Sequence, residues 1–389
     1  SAIIKVYLMK ICLFSKNYGA LDGCAQSVFD VIVSLLESQI DLHVIYNKYF
    51  PDISQHDGFS IKGRIKVYQL PRKNVIDSIF YNSHRLKKIL EIKPDWCIVN
   101  GISGHPGRLI LEKNFCNNNV IIIRESPRLC DFKDEKNALD HMIQKMRYYQ
   151  KFIFVSSNVM GAWKEILNLT NEQINYIPNC INEGSAQQAI DRGKEVLQNH
   201  LDFDNSKFNI TCVASIQKRK GQDLIFSNIE MIVKQMPNIH FHIVGKGKKP
   251  DSDEMISMIP DKFLMYFTFH GSKKNAIEYL CASDAMILPS RSEAFPRVTL
   301  ESMAVGTPVV ISDVDGNTEQ IFHNETGKIF SNENSDQMIA CIRDLYDHLS
   351  LRVDFSQKAR DYYLKKFSRK NHISNFNQLI NNYSLNQQL

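Results

Sequence analysis

The sequence predicts an α/β chain of two domains, each a doubly wound and mostly parallel sheet. Three observations carry that expectation. Short apolar runs alternate with amphipathic helical patterns, and the alternation starts afresh in the second half of the chain. At 389 residues the chain is longer than one hydrophobic core ordinarily serves. Between the halves lies INYIPNCINEG, residues 174–184, where Pro178 and a polar cluster interrupt both patterns. The expected domains are 1–183 and 184–369, with 370–389 a terminal helix.

In the first half, Ile11–Phe14, Leu42–Ile45, Lys66–Gln69, Trp96–Val99, Val120–Ile123 and Phe152–Val155 read as strands because each is a short run of apolar, largely β-branched or aromatic residues. Residues 24–38 and 75–91 have helical spacing. The second half repeats the scheme. Strands are expected at Ile210–Ala214, His240–Val244 and Leu264–Phe269, and helices at 221–235, 275–282, 336–349 and 354–366. The closing stretch SRKNHISNFNQLINNY is amphipathic enough to pack on another element.

Composition narrows the class. Hydrophobic residues make up 43% and charged residues 23%, which is globular and not disordered. No run approaches the roughly 18–20 apolar residues that span a bilayer. Lys5 and Lys10 break the apolar N-terminus, so it does not read as a signal peptide. Met9-Lys10-Ile11-Cys12 reads as a natural start, so residues 1–8 are expected to be an added segment or a linker. The nine cysteines include no C-x-x-C pair, and several lie in apolar runs. Reduced core cysteines, a cytoplasmic setting and no metal site are the expectation. Residues 1–185 hold 23 Lys plus Arg against 18 Asp plus Glu, so they carry the whole net charge of +5. Part of that excess falls on the 75–91 helix at Lys87 and Lys88, which suits either solvent or an anionic membrane face. No nucleic-acid module accompanies it.

The segment ILPSRSEAFPRVTLESMAVGTPVVISD, residues 287–313, is the most informative. It reads as a buried strand, a loop with Glu293, a helix with Glu301, a Gly-Thr-Pro stop and a second strand. Pro296 suits the first turn of that helix, since its missing N–H would go unpaired there anyway. Leu300, Met303 and Ala304 form its buried stripe. In an open parallel sheet ligands bind beyond the carboxyl ends of the strands. Carboxylates there can hold sugar hydroxyls, and helix amides can receive a phosphate. A second candidate is VASIQKRKGQDLI, residues 213–225, where Lys218, Arg219 and Lys220 stand before a helix and would suit a diphosphate, although such a run taken alone also suits a solvated loop.

EAFPRVTLESMAVGTPVV resembles the Glu-x7-Glu element of retaining glycosyltransferase family 4, with Ala294 where Gly is usual and Ser302 where Ala is usual. The resemblance implies the GT-B fold: two Rossmann-like domains facing a central cleft, with the last helix crossing back to the first domain. It implies that Glu293 approaches the donor sugar and that Glu301 holds the ribose. By the same likeness Lys220 neutralises the donor phosphates, and Ser215 stands where many relatives have Arg. Arg219, Gly245, Gly271, Phe295, Pro296, Arg297 and Val298 fall on the donor side. Gly316 and Glu319 match a later family element whose first Gly is replaced by Asp315.

The first half matches less closely. Gly23 keeps one glycine of the family's G-G pair and is expected on the donor side, where its backbone would approach a diphosphate or acceptor; Cys180 replaces Gly in the family's hinge. Arg124 takes the place of the usual His at the catalytic site; it cannot act as a base but is expected to bind phosphate or an acidic acceptor. Glu125 and His105 remain as acceptor-side candidates. The function implied is a hexosyl transfer from a nucleoside-diphosphate sugar, UDP favoured and GDP next, without metal or other cofactor. The acceptor would be a glycan or lipid-linked saccharide of bacterial O-antigen or capsule, met at the inner face of the cytoplasmic membrane. Two alternatives stand beside it: a GT-B sugar-nucleotide epimerase, and a non-catalytic sugar- or nucleotide-binding lobe of a larger assembly enzyme.

Overall fold

The computed structural model describes residues 9–18, 23–37, 40–49, 55–56, 59–60, 65–69, 91–102, 116, 118–128 and 137–385. The expected 75–91 helix (apart from Glu91), His105 and residues 1–8 lie outside the described residues. Two compact units emerge. The first takes the described residues up to Cys180 together with the last helix, and the second is Ile181–Ser368.

In the first unit, strands β1 (Met9–Tyr18), β2 (Ile40–Tyr49), β5 (Ile65–Gln69), β6 (Trp96–Asn100), β7 (Asn119–Ile123), β8 (Lys151–Phe154) and β9 (Ile174–Tyr176) form one sheet in the order β5-β2-β1-β6-β7-β8-β9. All its pairings are parallel. A separate two-residue pair, β3 (Gln55–His56) and β4 (Phe59–Ser60), lies outside that sheet. Ile11–Ser15 and Trp96–Asn100 are buried at every position, as expected of central parallel strands covered on both faces. The closing helix Arg369–Leu385 packs on the helix Gly23–Leu36, where Ser34 Oγ lies 2.7 Å from His372 Nδ1 and Arg369 Nη2 lies 3.4 Å from Asp30 Oδ1.

In the second unit, β10 (Phe208–Val213), β11 (Ile239–Val244), β12 (Phe267–Gly271), β13 (Ala285–Leu288), β14 (Val309–Ser312) and β15 (Lys328–Phe330) run in the order β12-β11-β10-β13-β14-β15, again all parallel. Ile210, Cys212, Phe241, Ile243, Ala285, Ile287 and Val310 are fully buried between its helix layers. Each large apolar side chain so buried contributes about 1.5–3 kcal/mol. Winding proceeds one way from β10 through β11 to β12, then reverses to β13, β14 and β15. The switch point therefore lies between β10 and β13.

Several elements differ from expectation. The helix expected at 221–235 is two, Gln222–Ser227 and Ile229–Gln235, broken at Asn228 (φ −108°, ψ 11°). There Asn228 donates its side-chain amide to Leu224 O at 2.8 Å, the local competition that makes Asn a poor helix interior residue. The strand expected at Leu264–Phe269 begins only at Phe267, because Asp261–Tyr266 forms a 3-10 turn after Pro260. Helices Ala138–Met146, Ser157–Leu167, Glu183–Arg192 and Lys194–His200 were not anticipated. Among the described residues, no helix is long and apolar enough to cross a membrane.

Candidate functional site

Lys220 follows β10 and Glu293 follows β13, so the two loops flank the switch point at the carboxyl edge of the second sheet. Ligands of open parallel sheets bind at such a place. Two glycines allow the loops to interlock. Gly221 has φ +71°, and a Cβ there would stand 1.8 Å from Pro289 O. Gly316, after β14, donates its N–H to Glu293 O at 3.2 Å, and a Cβ there would stand 1.6 Å from Ala294 O. Neither position admits a side chain without moving backbone.

Glu293 is 8% exposed. Its Oε1 pairs with Lys220 Nζ, accepts from Ser290 Oγ at 2.8 Å and lies 3.7 Å from Arg219 Nη1. Burial by itself would raise the Glu293 carboxyl, but Lys220 and Arg219 outweigh it and hold the group below the usual carboxylate range. Burial lowers the Lys220 ammonium, and the charge of Arg219 adds to that, while Glu293 opposes both. A buried carboxylate faced by two cations is thus assembled from segments 73 residues apart. An incoming anion would meet cations that are already desolvated.

The helix carrying Glu301 begins beside this cluster. Pro296 occupies its N-cap position and not its first turn, with φ −67° and ψ 126°, and no side chain caps the helix. Gln320 donates to Pro296 O at 3.0 Å and fixes the entry. Glu301 lies in the second turn and is half-buried, as are Arg297 and Val298 in the first. The buried Phe295 ring packs edge-on to Phe367 at 5.4 Å.

Ser215 accepts from Gln217 at its Oγ (2.6 Å) and from Gln222 at its carbonyl (3.0 Å). Gly245 donates its N–H to Gly271 O at 2.9 Å, and a Cβ on Gly245 would stand 1.9 Å from Ala214 O. The Gly245-Lys246-Gly247 stretch thus packs its backbone closely against the chain leaving β10, where Ile216 donates its N–H to Lys246 O at 3.3 Å. Glu319 lies in the short helix Asn317–Gln320, where its carbonyl accepts from Tyr362 Oη at 3.4 Å.

In the first unit, Arg124 follows β7. Its Nε donates to Asn100 Oδ1 at 2.7 Å and its Nη1 to Asn179 Oδ1. Glu125 accepts the backbone N–H groups of Ile102 and Arg124, both at 3.0 Å. Its own carbonyl accepts from the buried Trp163 indole at 2.8 Å. Glu125 thus brackets the ends of β6 and β7. Gly23 opens the first helix.

A cavity of about 410 Å³ is lined by Lys10, Asp41, His43, Lys66 and Tyr68, with Lys10, Asp41 and Lys66 near the amino ends of β1, β2 and β5. Cys12, Cys97, Cys116, Cys212, Cys281 and Cys341 are thiols outside any disulfide. Among the described residues there is no group of three or more His, Cys, Asp or Glu able to hold a metal. Sequence reasoning missed Ser290, Arg291 and Asp223. The first two stand three and two residues before Glu293, which is the only hint the sequence offers.

Residues 193–362 match the family model described as "Glycosyl transferases group 1". A D-inositol 3-phosphate glycosyltransferase of Pseudarthrobacter chlorophenolicus is 27% identical over 161 residues, 40% of this chain and 38% of that protein. The chain spans less than two thirds of the length of such curated relatives. Among solved structures, Anabaena HepE in complex with UDP and glucose aligns with a TM-score of 0.74 at 16% identity, covering 96% of this chain and 100% of that one. WaaG, a glycosyltransferase involved in lipopolysaccharide biosynthesis, aligns with a TM-score of 0.71 at 16% identity, covering 92% and 95%. The fold is that of GT-B glycosyltransferases, with two Rossmann-like α/β units.

Proposed function

We propose that this chain, whose second unit carries a glycosyl transferases group 1 domain, is a retaining glycosyltransferase. It moves a hexose-type sugar from a nucleoside-diphosphate sugar, UDP favoured and GDP next, to a glycan or lipid-linked saccharide. The pairing of buried Glu293 with Lys220, beside Arg219 at the switch point, carries this reading. The UDP and glucose held by the HepE structure support the donor class. The part played by WaaG in lipopolysaccharide biosynthesis supports an acceptor in bacterial surface-polysaccharide assembly.

Lys220, Arg219 and the amides opening the helix Arg297–Val305 stabilise the negative charge that grows on the departing diphosphate. Those fixed charges serve where other enzymes use a divalent ion. Glu301 holds the ribose hydroxyls, and Glu293 lies against the donor sugar. The bond from the anomeric carbon to the diphosphate breaks as the acceptor oxygen bonds to the same face. The acceptor proton passes to the leaving phosphate oxygen, so no protein base is required. The basic first half, through residues 1–185, favours an anionic acceptor or membrane face.

A thermal-shift panel of UDP-, GDP-, ADP- and dTDP-sugars tests the reading, because a ligand that binds the native state alone raises its stability. UDP-sugars are expected to give the largest shift, and transfer is expected to persist in excess EDTA. No shift with any of them overturns the proposal, and loss of transfer in EDTA restored by magnesium or manganese overturns its metal-free form. Flotation with anionic vesicles is expected to weaken as salt rises.

A further inference from the structure

Arg291 is heavily engaged by its neighbours, and nothing in the proposed chemistry uses it. Its side chain is 11% exposed. It forks onto the Asp223 carboxylate, with Nη1–Oδ1 at 2.7 Å and Nη2–Oδ2 at 2.8 Å. Its Nε meets Glu333 Oε1 at 2.5 Å. Its Nη1 also donates to Lys218 O, and its backbone N–H donates to Arg219 O at 2.8 Å. One residue therefore grips both carbonyls just ahead of Lys220 and the helix just behind it, while standing two residues before Glu293.

We propose that Arg291, locked by Asp223, is a positioning residue that sets Lys220 and Glu293 in register for a nucleoside diphosphate. The inference rests on the donor-binding reading above. A bidentate guanidinium–carboxylate pair defines direction as well as distance, which a lysine at the same place would not. The cation site is formed by a short loop whose backbone is otherwise held mainly by its own turn. Fixing it in advance spares the diphosphate the cost of ordering it.

The test is a double-mutant cycle in the full chain, read by calorimetry with UDP and GDP as probes. Arg291→Met and Asp223→Asn are each expected to weaken nucleotide binding about tenfold in the native background. In a Lys220→Ala background either change is expected to cost little further, because the group they position is gone. Arg291→Lys should recover only part of the affinity. Equal losses in both backgrounds would mean general structural support and would overturn the inference. So would native affinity in Asp223→Asn, the milder change that serves if Arg291→Met fails to fold. Native protein that binds neither nucleotide would instead overturn the donor-binding reading, and this inference with it.

Discussion

Lys220 and Glu293 form an ion pair between the loops after β10 and β13, the two strands where the winding of the second sheet reverses. Lys220 faces its carboxylate with Arg219 close by, and Ser290 shares the same oxygen. The pair is a structural strut, and under the proposed function it is also the place that receives the donor diphosphate. Its two duties pull mutational effects in different directions.

Glu293→Gln separates them. Removing the carboxylate leaves buried cations without their counter-charge, a loss of roughly 3–5 kcal/mol for a broken buried pair. The same change frees Lys220 for phosphate. UDP affinity is therefore expected to hold or tighten while turnover collapses and the melting temperature falls. Calorimetry and a transfer assay on one preparation check this. A parallel loss of affinity and turnover would show that Glu293 serves nucleotide binding instead.

Glu301→Ala addresses the ribose. If this carboxylate accepts both ribose hydroxyls, each bond lost costs about 1.5–3 kcal/mol of nucleotide affinity. Binding of inorganic diphosphate should not change. Unaltered UDP affinity would remove Glu301 from the ribose contact.

Arg124 is held by two buried amide side chains, Asn100 and Asn179, in the first unit. If it binds acceptor or phosphate, Arg124→Lys keeps the charge but loses the planar fork. Turnover should then drop more than UDP affinity, and Arg124→His should retain partial activity. Normal turnover in Arg124→Ala, with circular dichroism unchanged, would leave Arg124 a purely structural residue.

Acid stability follows from the histidine stack on β11 and β12. His242 lies 3.0 Å from His270 and 2.9 Å from Asn209 Oδ1, with the Phe203 ring stacked on it at 3.5 Å. Burial, then the neighbouring positive charges, push His242 down to about 2. Burial and Lys207 push His240 down to about 4, with Asp204 opposing. The unfolded chain takes up these protons near pH 6.5 and the folded one does not. Stability is thus full above that value and is lost as pH falls from 6.5 toward 4. Melting temperatures across pH 8 to 4 should show this slope, and His242→Gln should flatten it while lowering the melting temperature at pH 8. An unchanged slope in that variant would place the acid sensitivity elsewhere.

Much of the architecture was legible in the chain itself. The alternation of apolar runs with helical patterns determined two parallel-sheet units, because strand and helix periods are local properties of sequence. The spacing of Glu293, Pro296, Leu300, Glu301 and Gly306 likewise marked a loop, a helix and its stop. Boundaries slipped where side chains compete with the backbone, as at Asn228, or where a proline redirects it, as at Pro260. Pairing across the sheet is another matter. That Lys220 meets Glu293, that Arg291 ties Asp223 and Glu333 together, and that Gly316 must pass against Ala294 all depend on strand order. Local periodicity carries no information about which strand ends will lie side by side. Only the assembled sheet brings residues about 70 positions apart, such as Lys220 and Glu293, within hydrogen-bond reach, and there burial strengthens the pull between their charges.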